Sequence, residues 1–373
     1  MPIAGTNISL DSTEGIDKIS QTEKVTSPYH SDGNSILSSP VSSSLSDTNE
    51  TYFFGISNSS TKTVEEWNVA FGDSEGHGAN VEDNTKSETL AIYNQFSSLL
   101  LAPTEVTGGF IISSPASSGA ISSGKDKEIF VMLARRSNMK DRINKGTWTI
   151  VLSGSAQGIF HHNDTGSAPL SLTDDSVNNS PTATPAGDRY NIVSGAAGTV
   201  VSASTERNFG FFYPDAGVLV FSQAELSASI PGSTNAGVHE PVEFRKDGGS
   251  ILSISQSGFS TSTASNANQN TALRFINCLR HGSLNFRDEE DKISAQYFCR
   301  VRSGQANFSN NPTFVSGSLN ELRQKTMKGN PTTFITSIQL YNQTGDMVAV
   351  GNLSTPLKKG FGNEATIKVK LDY

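Results

Sequence analysis

Residues Pro331 to Tyr373 read PTTFITSIQLYNQTGDMVAVGNLSTPLKKGFGNEATIKVKLDY, and this stretch decides the fold class. Before the segment Asn342–Gly345, Phe334, Ile338 and Leu340 share one face of an alternating strand. The segment itself has the composition of a hairpin turn and leads into the apolar run Met347–Val350. The final segment alternates too, and its apolar positions are Ala365, Ile367, Val369, Leu371 and Tyr373. A period of two predicts half-buried antiparallel strands and a chain end that is docked in a sheet.

The composition of the whole chain extends this prediction. Of the 373 residues, 35% are hydrophobic and 17% are charged. In typical domains about 45–50% of the residues are apolar, a figure that includes Gly, and about 25% are charged. Ser, Thr, Asn and Gly make up the difference, and these residues favour turns over helix interiors. We therefore expect a mainly β protein of the α+β class, with antiparallel sheets, long polar loops and a few helices.

Local signals place the helices. Thr85 and Glu88 have the spacing of a capping box, and apolar residues follow at helical intervals until Pro103. Ser318 and Glu321 repeat that spacing, which predicts a helix over 318–328 that is closed by Gly329. A further helical spacing is formed by Leu273, Ile276 and Leu279. With the helix over 318–328, the last ~55 residues are expected to form one α+β unit.

Composition along the chain predicts four segments. Residues 1–50 are expected to form an extended N-terminal arm, because eight of the twenty residues from Ser31 to Glu50 are Ser and few are large and apolar. We expect this arm to lie along a neighbouring subunit. Residues 51–158 are expected to form a β-rich lobe with one helix, 159–206 a polar loop or connection, and 207–373 an α+β lobe that ends in a strand.

Charge and hydropathy exclude several classes of protein. The net charge is −8, which argues against nucleic-acid binding because phosphate contacts require clustered Lys and Arg. No apolar run reaches the ~18 residues of a membrane span, and the first residues lack the features of a signal peptide. Cys278 and Cys299 are expected to be structural thiols, although the sequence leaves open whether they are bonded.

Candidate sites fail on their chemistry. Gly119–Asp126 has the glycine and lysine spacing of a P-loop, but Asp126 stands where Ser or Thr would bind magnesium. His161–Asp164 contains possible metal ligands, but adjacent side chains of an extended chain point in opposite directions and bind one ion poorly. The acidic pairs and runs, Asp174–Asp175 and Asp288–Asp291, lack the spaced ligands of a calcium loop. We therefore assign no catalytic, cofactor-binding or metal-ligating residue, and we expect a protein that is not an enzyme.

The most basic stretch of the chain runs from Lys125 to Arg142 and includes Arg135, Arg136 and Lys140. Two interpretations of it stay open. It is either a docking surface for an acidic neighbouring subunit or a solvated turn at the exit of a strand.

Several runs resemble virion structural proteins of contractile-tailed phages, above all the marine myoviruses that infect cyanobacteria. The runs are AIYNQFSSLLLAP (91–103), RRSNMKDR (135–142), KGTWTI (145–150), YNIVSG (190–195), GFFYPDAGVL (210–219), NFSNNPTF (307–314) and the closing block 331–373. The similarity spans roughly residues 85–373 and leaves the Ser-rich arm uncovered.

This resemblance implies a structural subunit of a phage tail, in or near the baseplate, that is present in many copies and is made in the host cytoplasm. Its partners would be other tail and baseplate proteins, which it would meet through its N-terminal arm and sheet edges. The alternative is a receptor-binding or surface-decorating virion protein, although no internal repeat typical of a fibre is present. The exact position in the tail, the copy number, the symmetry and any movement on contraction stay open.

Overall fold

A computed structural model describes much of the chain. The described residues are 17–38, 40–42, 52–58, 64–76, 87–106, 109–112, 124–152, 169–201, 207–226, 242–245, 251–254, 272, 275–276, 278–279 and 282–373. About 50% of the chain is strand and 10% is helical, and the large sheets are antiparallel. The expected mainly β, α+β class is therefore confirmed.

The chain forms two compact units. One is Val25–Glu290, called the body here, and the other combines Met1–Lys24 with Asp291–Tyr373 and is called the terminal unit. Strand β1 (Lys18–Pro28) and a later strand, Arg287–Val301, both run across a boundary between the two units. The units therefore divide the chain at different positions from the four segments expected from composition.

The body is built mainly from strands. In chain order they are β2 (Ile36–Ser38), β3 (Val41–Ser42), β4 (Phe53–Ser57), β5 (Glu65–Asp73), β6 (Glu128–Ala134), β7 (Arg142–Ile143), β8 (Thr149–Leu152), β9 (Leu170–Asp174), β10 (Thr182–Thr184), β11 (Gly187–Ala196), β12 (Thr199–Val200), β13 (Gly210–Tyr213), β14 (Val218–Ser222), β15 (Val242–Arg245), β16 (Ile251–Ile254) and β17 (Ser283–Asn285). The helices are α1 (Glu88–Leu100) and α2 (Pro103–Val106). Ala272, Phe275, Ile276, Cys278 and Leu279 are also helical, in agreement with the helical spacing seen there.

One large curled sheet dominates the body. Its order is β2-β17-β8-β9-β11-β13-β14-β6-β5-β4-β3, and β10 and β12 pair with β11 outside this path. Neighbours run antiparallel, with registers such as Phe212 opposite Leu219 and Val220 opposite Val131. At its two ends the sheet finishes in very short strands, three residues in β2 and two in β3.

The central strands of this sheet are buried on both faces. Along β6, Phe130 and Met132 belong to one hydrophobic cluster, whereas Ile129 and Val131 belong to a second cluster that includes helix α1. Alternate residues of a strand point to opposite faces, so each face has its own core. This explains why these strands are continuous apolar runs in the sequence instead of alternating ones.

Helix α1 begins two residues later than the capping-box spacing implies. Ser87 is the N-cap, and its Oγ accepts a hydrogen bond from the Leu90 N–H at 3.4 Å. Thr85 lies outside the described residues. The helix buries Ile92, Tyr93 and Phe96 against the sheet, as expected from their spacing.

The N-terminal segment is extended but does not form a free arm. Strand β1 joins the sheet of the Arg287–Val301 strand, and β2 and β3 are the two edges of the large sheet. Tyr29, His30 and Leu37 are buried, and Tyr29 and Leu37 belong to the main core of the body. The expectation of a Ser-rich arm is therefore corrected for residues 17–42, because burial of these side chains favours docking of an otherwise polar segment.

Buried hydrogen bonds fix the docked segment. The Tyr29 hydroxyl donates to the Glu66 carbonyl at 2.8 Å and accepts from the Arg135 N–H at 2.7 Å. The Glu66 carboxylate, which is fully buried, accepts hydrogen bonds from the Ser31 N–H, the Ser31 hydroxyl and the Asn138 amide. Each of these groups would be costly to leave unpaired, so the segment is tied to the body at several points.

His30 lies in the same cluster in its neutral form. Its Nδ1 is 3.1 Å from the Asn34 carbonyl oxygen, and its Nε2 is 3.4 Å from the Trp67 Nε1. A carbonyl must be met by an N–H, and an indole N–H needs an acceptor, so these contacts select the tautomer with the proton on Nδ1. Burial lowers the pKa of His30 and outweighs the nearby charges of Glu66 and Asp32, which raise it.

We expect the body to lose stability as the pH falls from 7 to 5. Because the pKa of His30 is lowered by folding, the unfolded chain binds its proton first as the pH drops through about 6.5, which favours unfolding. Denaturant unfolding at a series of pH values should show a steeper loss for the natural chain than for His30→Gln, whose amide keeps a donor and an acceptor. Equal slopes for the two proteins would contradict this assignment.

The described part of residues 159–206 is not the polar loop or connection that the composition predicts. Their described part, 169–201, contains β9, β10, β11 and β12, and β9 and β11 are interior strands of the large sheet. Only a few of their side chains are large and apolar, among them Leu172 and Ile192, which are fully buried. With so few apolar residues, the sequence pattern does not reveal these strands.

The terminal unit contains several small sheets. Its strands are β18 (Arg287–Val301, shared with the body), β19 (Val315–Ser316), β20 (Glu321–Leu322), β21 (Thr333–Tyr341), β22 (Met347–Lys359) and β23 (Ala365–Asp372). Strand β18 pairs with β1 on one side and β23 on the other, β19 pairs with β20, and β21 pairs with β22.

The helix expected over 318–328 is absent. Val315 pairs with Leu322 and Ser316 with Glu321, so the capping-box residues lie in a β-hairpin, and only Lys325–Met327 form a short 3₁₀ turn. Leu319, which the helix would have buried, is 81% exposed. A short helix without a buried face is not stable, which is why this local signal fails. The last ~55 residues are consequently an all-β arrangement.

Candidate interaction surface

The terminal unit has almost no interior of its own. Both hydrophobic clusters of the described chain consist of body residues alone. Within residues 291–373, all of which the structure describes, the buried apolar residues are Ala295, Val301, Val315 and Ala365. Four small side chains cannot supply the apolar burial that normally stabilises more than eighty residues.

A hairpin of β21 and β22 carries six of the large exposed apolar side chains of this unit. The turn between the strands is closed by the Asn342 N–H donating to the Asp346 carbonyl at 3.0 Å and the Gly345 N–H donating to the Asn342 carbonyl at 3.2 Å. Gly345 has φ +89°, a conformation that favours glycine. The hairpin turn expected at Asn342–Gly345 is therefore confirmed.

Large apolar side chains are exposed on both faces of this hairpin. Phe334 is opposite Lys358 and Ile335 is opposite Leu357, so Phe334 and Leu357 point to opposite faces. Both are exposed, with Phe334 at 58%. Further along the hairpin, the exposed apolar side chains are Tyr341, Met347, Val348 and Val350. An isolated two-stranded sheet is marginal in water, so this surface has the character of an incomplete sheet.

The pairing of β18 with β23 shows the alternation expected from the sequence. Tyr297 is opposite Val369 and Cys299 is opposite Ile367, so the apolar residues share one face, and these four side chains are only partly covered. Phe298 is opposite Lys368 on the other face. The Tyr373 backbone exchanges hydrogen bonds with Ile293 at 2.8 and 3.0 Å, so the end of the chain is docked by its backbone while its ring is exposed.

Polar contacts hold the base of the hairpin in place of an apolar core. Lys359 is fully buried, and its Nζ donates to the Ser303 carbonyl at 3.0 Å, the Asn307 Oδ1 at 2.8 Å and the Gly360 carbonyl at 2.9 Å. The Thr333 hydroxyl donates to the Ala306 carbonyl beside them. All three protons of the ammonium group are thus used, which is the condition for burying such a charge.

Replacing Lys359 by Met should loosen this hairpin. Met matches the length of the side chain but leaves three buried acceptors without this donor, and we expect a loss of about 2–4 kcal/mol in local stability. The measurement is hydrogen exchange of the amides of β21 and β22. Lys358→Met, at an exposed neighbouring position, should change the same amides by less than about 0.5 kcal/mol. Equal effects of the two variants would show that the buried contacts do not hold the hairpin.

The acidic candidates of the sequence are structural. Burial raises the pKa of Asp174, whose carboxylate accepts the Gly146 N–H at 2.9 Å. Asp175 accepts the Asn191 N–H at 2.9 Å, and Asp288 accepts the Ser27 hydroxyl at 2.6 Å. Among the described residues, no group of three or more His, Cys, Asp or Glu side chains is arranged to hold a metal ion.

Asp126, the residue that breaks the P-loop pattern, joins three segments of the body. Its carboxylate accepts the Ile112 N–H at 2.7 Å and the Ser222 hydroxyl, and its carbonyl accepts the Tyr93 hydroxyl at 2.8 Å. Residues 113–123 and His161–Asp164 lie outside the described residues. Sequence reasoning missed this structural role because the contacts of Asp126 are distant in sequence.

The basic stretch is engaged within the body. The Arg135 guanidinium donates to the Glu65 carbonyl at 3.0 Å, and Lys140 forms an ion pair with Glu290 at 3.0 Å. The Arg136 guanidinium donates to the Asp141 carbonyl at 3.2 Å. Of the two open interpretations, these contacts favour the turn at a strand exit. Both cysteines are thiols, with Cys278 buried in the helical stretch and Cys299 partly buried in β18.

Comparison with known protein families, curated proteins and solved structures finds no match to this chain. In the described part of the chain, no helix combines the length and the apolar character that a membrane crossing requires. The exposed apolar hairpin of the terminal unit is therefore the feature on which a functional assignment depends.

Proposed function

We propose that this chain is a structural subunit of a contractile phage tail, placed in or near the baseplate, that works by joining neighbouring subunits and has no enzymatic role. One observation carries the proposal. Residues 291–373 have no hydrophobic cluster of their own and expose large apolar side chains on both faces of a hairpin. Such a unit gains its stability from association, as subunits of permanent assemblies do.

The tail location is supported by the resemblance of residues 85–373 to virion structural proteins of contractile-tailed phages. The exposed surfaces of the terminal unit are consistent with this role, because β-rich subunits of large assemblies bind through backbone edges as well as apolar faces. The proposal assigns the contacts between subunits to sheet edges of the terminal unit. Residues 17–42 are engaged within the chain itself, so a contribution of the N-terminal arm to assembly would fall to residues 1–16 and 43–50.

Immunogold electron microscopy tests the location. Polyclonal antibodies raised against the whole purified chain, applied to virions of the phage that encodes the chain, should label the baseplate end of the tail. Virions that carry no label, with the protein detected only in lysate, would contradict the proposal. Label at fibre tips, together with binding of the purified protein to host cells, would favour the alternative of a receptor-binding or surface-decorating protein.

Deleting residues 1–16 tests the start of the arm without removing the docked segment. If the arm contributes to assembly, this variant should fold with normal stability but enter particles less efficiently. Deletion of 1–50 would be a poor test, because it also removes Tyr29 and Leu37 from the core of the body. Normal incorporation of the shorter deletion would remove residues 1–16 from the proposed mechanism.

A further inference from the structure

Strand β21 differs from every other edge strand that the structure describes. It has nine residues, Thr333–Tyr341, and none of them is charged or proline. In the described chain, β21 pairs with β22 alone, so its outer edge presents backbone N–H and C=O groups without a strand partner. A long, uncharged edge of this kind invites pairing with another strand.

The other edges that the structure describes are either shorter or protected; β16, for example, is uncharged but has only four residues. The large sheet ends in strands of three and two residues, β2 and β3. Strand β1 carries Lys18, Glu23, Lys24 and Pro28, and β23 carries Lys368, Lys370 and Asp372. Short length, charge and proline are the usual devices that prevent edge pairing. Their absence from β21 sets this one edge apart.

The opposite edge of the same hairpin is also protected. Strand β22 contains Pro356, which has no N–H to donate, and Lys358, and its register is irregular opposite Ile335–Ser337. These features all lie in the second half of β22. A partner strand that follows the whole edge therefore fits beside β21 and not beside β22.

We propose that β21 of two copies of this chain pair edge to edge in antiparallel fashion, forming a four-stranded sheet of order β22-β21-β21-β22. A second copy is the partner that closes the sheet, because the protected β22 then lies at both ends and no open edge is left to propagate. An uncharged strand meets an identical strand without repulsion between like charges. Closed two-fold dimers are also the most common form of soluble oligomer.

Pairing of two hairpins also relieves their marginal stability. A two-stranded sheet is marginal in water, whereas a four-stranded sheet with apolar faces meets the usual requirement of three or more strands. The proposal deepens the assembly role given above by naming the partner of one edge. It rests on that role only for its place in a particle, because dimerisation is a property of the purified chain.

Sedimentation equilibrium of the purified full chain is the first test. We expect a species of twice the 39.7 kDa chain mass at micromolar concentration. Ile338→Lys, in the middle of β21, should weaken the dimer roughly 100-fold because it places two positive charges close to the two-fold axis. Val350→Lys puts the same charge on β22, away from the paired edge, and should leave the dimer intact.

Two further arms keep the test independent of folding. An equimolar mixture of Ile338→Lys and Ile338→Glu should form a mixed dimer, which an unfolded hairpin could not do. Ser337→Cys, at the centre of the strand, should form a disulfide between copies under oxidation because residues close to the axis face each other. Cys278→Ser and Cys299→Ser in the same chain exclude the native thiols.

A natural chain that sediments as a monomer, or a dimer that Ile338→Lys leaves unchanged, would overturn the proposal. A chain that dimerises as described but is absent from virions would sink the tail assignment and leave the dimer standing. A chain that is found in the baseplate but is monomeric in solution and is not cross-linked through Ser337→Cys would do the reverse. The two proposals therefore fail in different experiments.

Discussion

Replacing Tyr29 by Ala is expected to lower the free energy of unfolding of the body by about 3–5 kcal/mol, the range for aromatic side chains deleted from a core. The Tyr29 ring is buried, with its centroid 4.8 Å from that of Trp67 and 6.5 Å from that of Phe286. Alanine removes these contacts and both hydrogen bonds of the hydroxyl. The measurement is equilibrium unfolding in urea, followed by tryptophan fluorescence.

Tyr29→Phe is the matched control. It keeps the ring and removes only the hydroxyl that bridges the Glu66 carbonyl and the Arg135 N–H, so we expect a loss of about 1–2 kcal/mol. Limited proteolysis gives a second measurement, since the alanine variant should be cut within residues 17–42 before the body unfolds. An alanine variant within about 0.5 kcal/mol of the natural chain would mean that this segment is an arm after all.

The second large effect is expected at Asp126. Alanine there leaves the Ile112 N–H and the Ser222 hydroxyl without their acceptor in a buried site. Hydrogen bonds to a charged group contribute about 1.5–3 kcal/mol each, so we expect a combined loss of about 3–5 kcal/mol. Asp126→Asn keeps one oxygen acceptor and the same shape, and it should lose roughly half as much.

Thermal and urea unfolding of the two Asp126 variants provide the comparison. The hydrophobic cluster that includes helix α1 should be destabilised most, because the Asp126 carbonyl also accepts the Tyr93 hydroxyl of this helix. Hydrogen exchange in α1 should therefore accelerate more in the alanine variant than in the asparagine variant. If alanine and asparagine cost the same, charge and not hydrogen bonding to Ile112 and Ser222 would be the source of the effect.

The sequence predicted those parts of the fold in which local pattern and tertiary burial agree. The alternation after Ala365 became β23, the turn at Asn342–Gly345 became the hairpin, and the spacing from Leu90 to Leu100 became α1. In each case the side chains that repeat in sequence share one face of the element. A single residue such as Gly345 or Pro103 then marks its end.

Prediction failed where the deciding contact is distant in sequence. Ser318 and Glu321 have the spacing of a capping box, yet no neighbouring surface buries Leu319, so a β-hairpin forms there. Residues 17–42 have the composition of a disordered tail, but Tyr29 finds Trp67 and Phe286. Local sequence propensity does not predict contacts between residues that are distant in sequence.

The interaction surface was only partly predictable. The alternation in β21 predicts a strand, and by itself it implies one covered face. Exposure of Phe334 and Leu357 on opposite faces could not be inferred, because alternation alone does not show whether a face is covered. The lack of charge in β21 is visible in the sequence, but its meaning emerges only when the strand is known to lie at an edge.

The core of the body closes between residues from its two ends, and this has a consequence for how the chain folds during synthesis. Ser27 and Asp288, 261 positions apart, are joined by hydrogen bonds, and the Tyr29 N–H donates to the Phe286 carbonyl at 3.3 Å. Such contacts cannot form until nearly the whole body has left the ribosome. Folding of the body should therefore be slow and should begin only after its last strands are synthesised, and nascent chains should depend on chaperones to keep Trp67 and its neighbours from aggregating.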